Sequence, residues 1–411
     1  MRASKHLKRL FSNDRGNALA IGAASLPLLI AGAALAVDTI QISLMRRQLQ
    51  RAADSGAIAG AYALAQEVDT TEAVHTDLDR NYFPTLHERE TITVGPRLGQ
   101  QNAVRLQLHS RPTLPFLAFF TKDATDIRAD ATAAVISGGR FCMLSLYDGE
   151  ETGIDVGGNA EVNLGCGMAS NSRGSEAVTA GGSSKITASP IMAVGGLDGT
   201  GNNFAQPTVL QPHSTPQPDP YLNLPDPVAP TQACTALSVK PGETVTIPID
   251  GRCFSSMNIK GTVTFTGSGQ IPIYGGDVIF GSQANITATG GATFVMTGPN
   301  GQAGDVKMNG QATLNLKAPE SGDLANVLFY RDRRASAIEI KINGGANMQT
   351  RGAFYFPTSD VTFTGHAGMK AECFQLIGQI LKFRGTAAIN NFCSKPNIKS
   401  TFELQFVRLI G

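Results

Sequence analysis

The rhythm of apolar and polar positions changes three times along this chain. From Asn17 to Val37 no charged side chain interrupts an apolar run, and about 20 such residues wound as a helix cross a hydrocarbon core of ~30 Å. From Asp38 to Ala65 the pattern becomes amphipathic: Ile40, Leu44, Leu49, Ala52, Ala53 and Ile58 recur near helical spacing, Arg46, Arg47 and Arg51 fall between them, and proline is absent. The two stretches predict one helix of about 48 residues, ~70 Å long, half of it in lipid and half outside. Pro27 would kink this helix without breaking the span.

Beyond it, Thr70 to Phe83 predicts a second helix ended by Pro84. Thr91 to Val94 and Ala103 to His109 alternate as strands, Leu114 to Phe120 is a short apolar helix or turn, and Ile127 to Ile136 closes as a strand. Residues 38–137 therefore read as an α+β domain that includes the helix extension. From Phe141 onward segments of the form Gly-x-Ala-x-apolar return, as at Gly158–Val162, Gly310–Leu314, Gly344–Met348, Gly365–Met369 and Gly385–Ile389. Counting Ala292 with them, the steps from Ala292 to Ala312, Ala346 to Ala367 and Ala367 to Ala387 are 20, 21 and 20 residues. A fixed period of short strands is the mark of a β-solenoid. Its first part is expected at 138–200 and its main part at 234–411. Between them, residues 201–233 hold eight prolines and read as a linker. That stretch is either a free tether or a segment lying along the solenoid, and Tyr221, Leu222 and Leu224 favour the packed form.

Charge then sets a direction. Arg2, Lys5, Lys8, Arg9 and Arg15 precede the span, and basic residues beside a span stay in the cytoplasm. Residues 1–16 are expected to be a cytoplasmic segment, 17–37 a transmembrane helix, and the rest an exported region in contact with inner-membrane lipid at its base. A cleavable signal ending at Ala34-Leu35-Ala36 is the alternative, disfavoured because the apolar run exceeds the ~7 to 15 residues of a signal core. The net charge of +1 over 411 residues gives no field that would draw nucleic acid. The even count of six cysteines fits an oxidising compartment. Their separations predict sequential disulfides: Cys142 with Cys166, Cys234 with Cys253, and Cys373 with Cys393.

The N-terminal stretch also carries a resemblance. Gly16 after Arg15, the Ala-rich span with Pro27, Asp38 at its outer end, and then Leu49, Gln50, Arg51, Ala52, Ala53 and Asp54 leading to Gly60 and Ala61 resemble the TadE/TadG family of Flp (Tad) pilus assembly proteins. The segment from Cys142 to Asn171-Ser172, and on through Asp219-Pro220-Tyr221, resembles a module of the same family. The resemblance implies a membrane-proximal, pilin-like α+β domain, and partners among other Tad pilus assembly proteins or pilins. Processed pilins usually have Glu five residues after the cleaved Gly, where this chain has Ile21. That departure points to a retained anchor. The Asp-x-Ser-x-Ser metal motif of some TadG-like proteins is absent.

Candidate chemistry is sparse. Asp305, Lys307, Arg331, Asp332, Arg333, Arg334, Lys341, Arg351 and Lys370 could in principle line a glycan-cleaving face, but with no repeated Asp pair at coil spacing they read as solvated faces and turns. Asp148, Glu150 and Glu151 read as a solvated loop rather than a calcium site. No catalytic, cofactor or metal residue is expected. The expected molecule is a structural, non-enzymatic envelope protein whose disulfide-clamped solenoid serves as a docking or adhesive surface, with a surface glycan as a candidate partner. A glycan-binding or glycan-cleaving β-helix on a pilin-like anchor is the second reading.

Overall fold

A computed structural model describes residues 17–81, 89–119, 125–205, 208–343, 347–365, 368–392 and 402–411. Gly16 and the basic segment, Pro84, Ala346, Ala367 and Cys393 lie outside the described residues. The chain forms two compact units, Met1–Ile136 with Val407–Gly411, and Ser137–Phe406.

In the first unit a single helix, α1 (Asn17–Ala65), runs through Pro27 without a break. Its two halves have different surroundings. Over the first half Leu26, Leu28, Leu29, Ile30, Leu35 and Ile40 stand exposed, with Leu28 at 75%, and an apolar surface uncovered all round is what a lipid-facing helix presents. Over the second half Leu49, Ala52, Ala53, Ala57 and Ala61 are buried against α2 (Thr70–Arg80) and an antiparallel sheet of β1 (Arg89–Arg97), β2 (Gln100–Ser110) and β3 (Ile127–Ser145). The register sets Val104 opposite Ala133, Leu106 opposite Ala131 and Leu108 opposite Ala129. Long side chains on β2 and small ones on β3 thus share the buried face. Asp69 caps α2, accepting from the Glu72 N–H at 2.8 Å.

The helix approaches this sheet closely because two of its residues lack side chains. A Cβ at Gly60 would stand 2.9 Å from both Val104 Cγ1 and Val74 Cγ2, and one at Gly56 would stand 2.5 Å from Leu106 Cδ2. Gly60→Leu should therefore push α1 off β2 and cost about 1–3 kcal/mol or more. The check is a lowered urea midpoint, whereas Gly32→Leu, with nothing within 4 Å, should leave it unchanged.

The second unit is a parallel β-solenoid with three faces. One face stacks strands Thr244–Pro248, Thr262–Thr266, Asn285–Ala288, Thr313–Lys317, then the first halves of Asn347–Phe356 and Gly368–Gly378, then Ala388–Phe392, Glu161–Asn163 and Lys185–Thr187. The order in space is thus not the order in sequence. Coils from the first part of the chain stack on the coil that ends at Phe392, so the segments at 138–200 and 234–392 form one continuous stack. Inside it the side chains interdigitate. Phe294 stacks on Phe329 at 5.1 Å between ring centres, Phe329 meets Phe354 edge-on at 4.8 Å, and Phe354 meets Phe374 edge-on at 5.0 Å.

The predicted 20-residue period holds only locally. Met348 pairs with Met369 and Gly368 with Ala388, but Asn285 pairs with Thr313 and Thr313 with Asn347, coils of 28 and 34 residues. Ala292 belongs to a different face, beginning the strand Ala292–Thr297; the residue equivalent to Ala312 is Ala284. Corners vary in length because only the strands must stack. The recurrent glycine has a firmer basis. Gly158, Gly182, Gly365 and Gly385 all take a left-handed conformation at one corner, φ between 66° and 76°, and a Cβ on Gly182 would stand 2.9 Å from the Gly158 carbonyl of the next coil.

Two disulfides join neighbouring coils, Cys142 to Cys166 and Cys234 to Cys253, with Cα atoms 5.9 and 4.8 Å apart. Cys373 is disulfide-bonded; its expected partner Cys393 falls outside the described residues.

Because the stack begins in space with the coil at 235 and ends with the coil at 211, the chain must return along its whole length. The strand Leu210–Gln211 pairs with Ile191–Ala193 at one end, and Thr235–Val239 pairs with Phe254–Ile259 at the other. Those ends are ten strand spacings apart, about 48 Å at ~4.8 Å each, within the extended reach of the 23 residues between them. The Pro-rich segment is therefore a strap on the solenoid wall. Proline suits it because a chain lying across strands, rather than pairing with them, needs few backbone N–H donors.

Candidate functional site

The positions that carried the N-terminal resemblance come together in the first unit. Leu49, Ala52, Ala53, Gly60 and Ala61 face its core, while Gln50 donates to Asp54 Oδ1 at 2.8 Å and to the Asp130 carbonyl at 3.0 Å. Gln50 thereby ties the helix to β3. Asp38, 2% exposed at the end of the apolar half, accepts from the Leu117 N–H, and the Phe116 nitrogen lies 3.5 Å from its other oxygen. It satisfies the open N-terminus of the 3-10 turn Leu117–Phe119, so the motif acid anchors a loop where the span ends. Pro27 is exposed in the apolar half.

In the second unit the wall under the strap is the most elaborated surface. Its outward residues form a ladder in register: Val295, Tyr330, Tyr355, Ile377, Leu144, Ala169 and Met192. These are buried, with Tyr221, Leu224 and Phe406 packed on them. The strap makes polar contacts along the stack, from the coil of Asn171 to that of Arg334. Asn171 and Gln217 bond through side-chain amide and backbone, the Asn171 Nδ2 donating to the Gln217 carbonyl at 2.8 Å and the Gln217 N–H to Asn171 Oδ1 at 2.7 Å. The Tyr355 hydroxyl donates to Asp219 at 2.6 Å, and the Tyr221 hydroxyl to Gln375 at 2.5 Å. Tyr355 has Tyr221 on one side and Tyr330 on the other, with ring centres 5.4 and 5.3 Å away. Arg333 donates to the carbonyls of Leu222 and Leu224 and pairs with Asp226 at 3.2 Å; Arg334 reaches the Pro227 carbonyl at 3.2 Å.

The expectation of solvated faces is thus corrected for Arg331, Asp332 and Arg351, while Arg333 is half-buried and Arg334 is exposed as expected. Arg331 and Asp332 are fully buried and Arg351 is 4% exposed. Asp332 takes two bonds from Arg334, at 2.9 and 2.7 Å, and one from Thr297 at 2.6 Å. Arg331 donates to the carbonyls of Ser336 and Ala303 and to the hydroxyls of Thr358 and Ser359, and burial lowers its basicity. Neighbouring coils bury it: none of these partners lies on the strap, and Ala303, Thr358 and Ser359 come from the coils on either side. The signal for the strap's own contacts was present: a cluster of four charges, Arg331 to Arg334, next to Tyr330, and a strap carrying Asp219 and Asp226. Asp305, Lys307 and Lys341 lie at the surface in local ion pairs, as expected. Asp148 is 83% exposed, 4.0 Å from Arg173.

Burial raises the pKa of Asp219 above the ordinary carboxylate value. A raised acid binds its proton more tightly in the folded chain, so its contribution is most favourable at low pH and is lost as pH rises above about 4. Asp219→Asn keeps an acceptor oxygen for Tyr355 without the buried charge. Its urea midpoint relative to the unaltered chain should therefore improve between pH 4 and pH 7; a difference that does not change with pH would contradict this account of the strap.

Among the described residues no group of three His, Cys, Asp or Glu is placed to hold a metal ion. One described helix is long and apolar enough to cross a membrane, over Ile21–Ala65. The family model for Flp pilus-assembly TadE/G-like proteins matches residues 16–63, the span together with the helix half that packs into the first unit's core. No curated protein and no solved structure matches the chain.

Proposed function

We propose that this chain is a membrane-anchored, non-enzymatic component of Flp/Tad pilus assembly, whose solenoid is a docking or adhesive surface. The observation that carries the reading is the division of α1: the matched segment is exposed and apolar over one half, and over the other it forms the core of a folded domain. A discarded signal would have no structural reason to continue as the central helix of that domain. The basic residues before the span support a cytoplasmic N-terminus, and the disulfides suit an oxidising periplasm or exterior. The first unit, a long helix on antiparallel strands, is the pilin-like domain of this reading, suited to contact pilins or other assembly proteins.

The strapped wall supports a structural role. Asp219, Asp226 and Asp332 are each committed to a tyrosine or an arginine, which leaves none of them free as an acid or base there. The direct test is recovery of partners from membranes: the full chain, solubilised in mild detergent after cross-linking, should bring down Flp/Tad pilus assembly proteins. Recovery of envelope proteins without any of these would contradict the proposal. A glycan-binding solenoid on the same anchor is favoured by one further feature.

A further inference from the structure

On the solenoid face that begins with Thr244–Pro248, away from the strap ladder, four consecutive coils form an open groove of about 740 Å³. The register aligns its side chains in two rows. Asn315, Gln349, Lys370 and Asn390 make the first, and Lys317, Arg351, Glu372 and Phe392 the second. At the strand spacing each row is about 14 Å long, the length of a short oligosaccharide. Phe392 is 71% exposed at the end of its row, although a benzyl side chain gains nothing by standing in water.

We propose that this groove binds an extended anionic oligosaccharide. The proposal rests on the reading of the solenoid as a docking surface and names the ligand class for it. Amides at a fixed repeat offer donors and acceptors to successive hydroxyls, and an exposed ring at the groove's end offers a flat face to the C–H side of a sugar. The charge balance selects acidic sugars. Lys317 and Lys370 make no ion pair among the described residues, and Arg351 is held by Glu320 on one side while its Nη1 has no hydrogen-bond partner. Glu372 is the one acid among the groove's lining residues, against three cations. A buried guanidinium N–H without a partner is a vacancy for an acceptor, and a carboxylate on the ligand would draw it out as it would the lysines. A peptide is less suited. The four strands under the groove are paired on both sides, so no free edge remains for an added strand.

The experiment uses the full chain in detergent micelles. Binding of galacturonic acid hexamer is measured by calorimetry beside maltohexaose, a neutral sugar, and hexaglutamate, an acidic peptide. The galacturonate should bind and weaken with added salt, and the other two should not. Lys317→Gln with Lys370→Gln should weaken binding about tenfold, and Phe392→Ala about fivefold, with the thermal midpoint unchanged. Absence of galacturonate binding, equal binding of maltohexaose or of hexaglutamate, or an affinity indifferent to these substitutions would overturn the proposal. Fibre number in cells carrying the triple variant separates the two readings. Normal fibres without galacturonate binding by the unaltered chain would remove the groove's role and leave the assembly role standing.

Discussion

Tyr355→Ala should cost about 3–5 kcal/mol and loosen the strap, the largest effect expected from a single side chain outside the solenoid lumen. Tyr355 is fully buried, lies between the rings of Tyr221 and Tyr330, and donates its hydroxyl to Asp219. Removing it creates a cavity under the strap and deprives a buried carboxylate of its donor, and the two losses act on the same contact. Two readouts distinguish them. The urea midpoint should fall by the full amount, and limited proteolysis should cut within residues 211–233, where the unaltered chain resists. Tyr355→Phe should keep the ring contacts and lose only the hydrogen bond, with a cost of about 1 kcal/mol and no new cleavage. Rapid cleavage of the unaltered chain within the strap would show that it is not docked as described.

The second large effect concerns the apolar half of α1. Leu28 and Leu29 are exposed near the middle of the span, and an arginine at a span's centre costs about 2.5–3.5 kcal/mol of insertion free energy. Leu28→Arg with Leu29→Arg should therefore move the protein out of the carbonate-resistant membrane fraction. With export abolished, the six cysteines would remain in a reducing compartment, and labelling by a thiol reagent should rise. The same pair of substitutions in a soluble helix would merely improve its solubility. Unchanged membrane retention would therefore remove the anchor from this account.

Much of this molecule could be read from local pattern. The apolar run, the continuation of the helix past Asp38, the alternation on β2 and the short strands of the solenoid each follow from side-chain periodicity, which the backbone imposes directly. The spacing of Cys142 from Cys166 and of Cys234 from Cys253 likewise anticipated bonds between neighbouring coils. Non-local order was hidden. That Gly378 pairs beside Ser145, so that the last coils precede the first ones in space, leaves no mark on any window of sequence. Once that order is known, the prolines of 201–233 cease to look like a break in the solenoid and become the material of its return. The burial of Arg331 and Asp332 was missed for the same reason: their partners Ala303, Ser359 and Thr297 come from other coils. The uneven coil lengths, 28 and 34 residues where 20 was expected, show that loops at the corners are free to grow while the strands keep their register.

Expectations that rested on resemblance stand differently. The family match covers residues 16–63 and ends inside α1, so the proposed pilus role enters through the anchor, while the solenoid's role rests on its own surface. The comparison that tests the role most directly is a count of Flp fibres by electron microscopy on three strains: one with the chain, one lacking it, and one carrying the Leu28→Arg, Leu29→Arg variant. The account predicts that fibre number falls sharply in both altered strains and is restored by the unaltered chain. Equal fibre numbers on all three would contradict it.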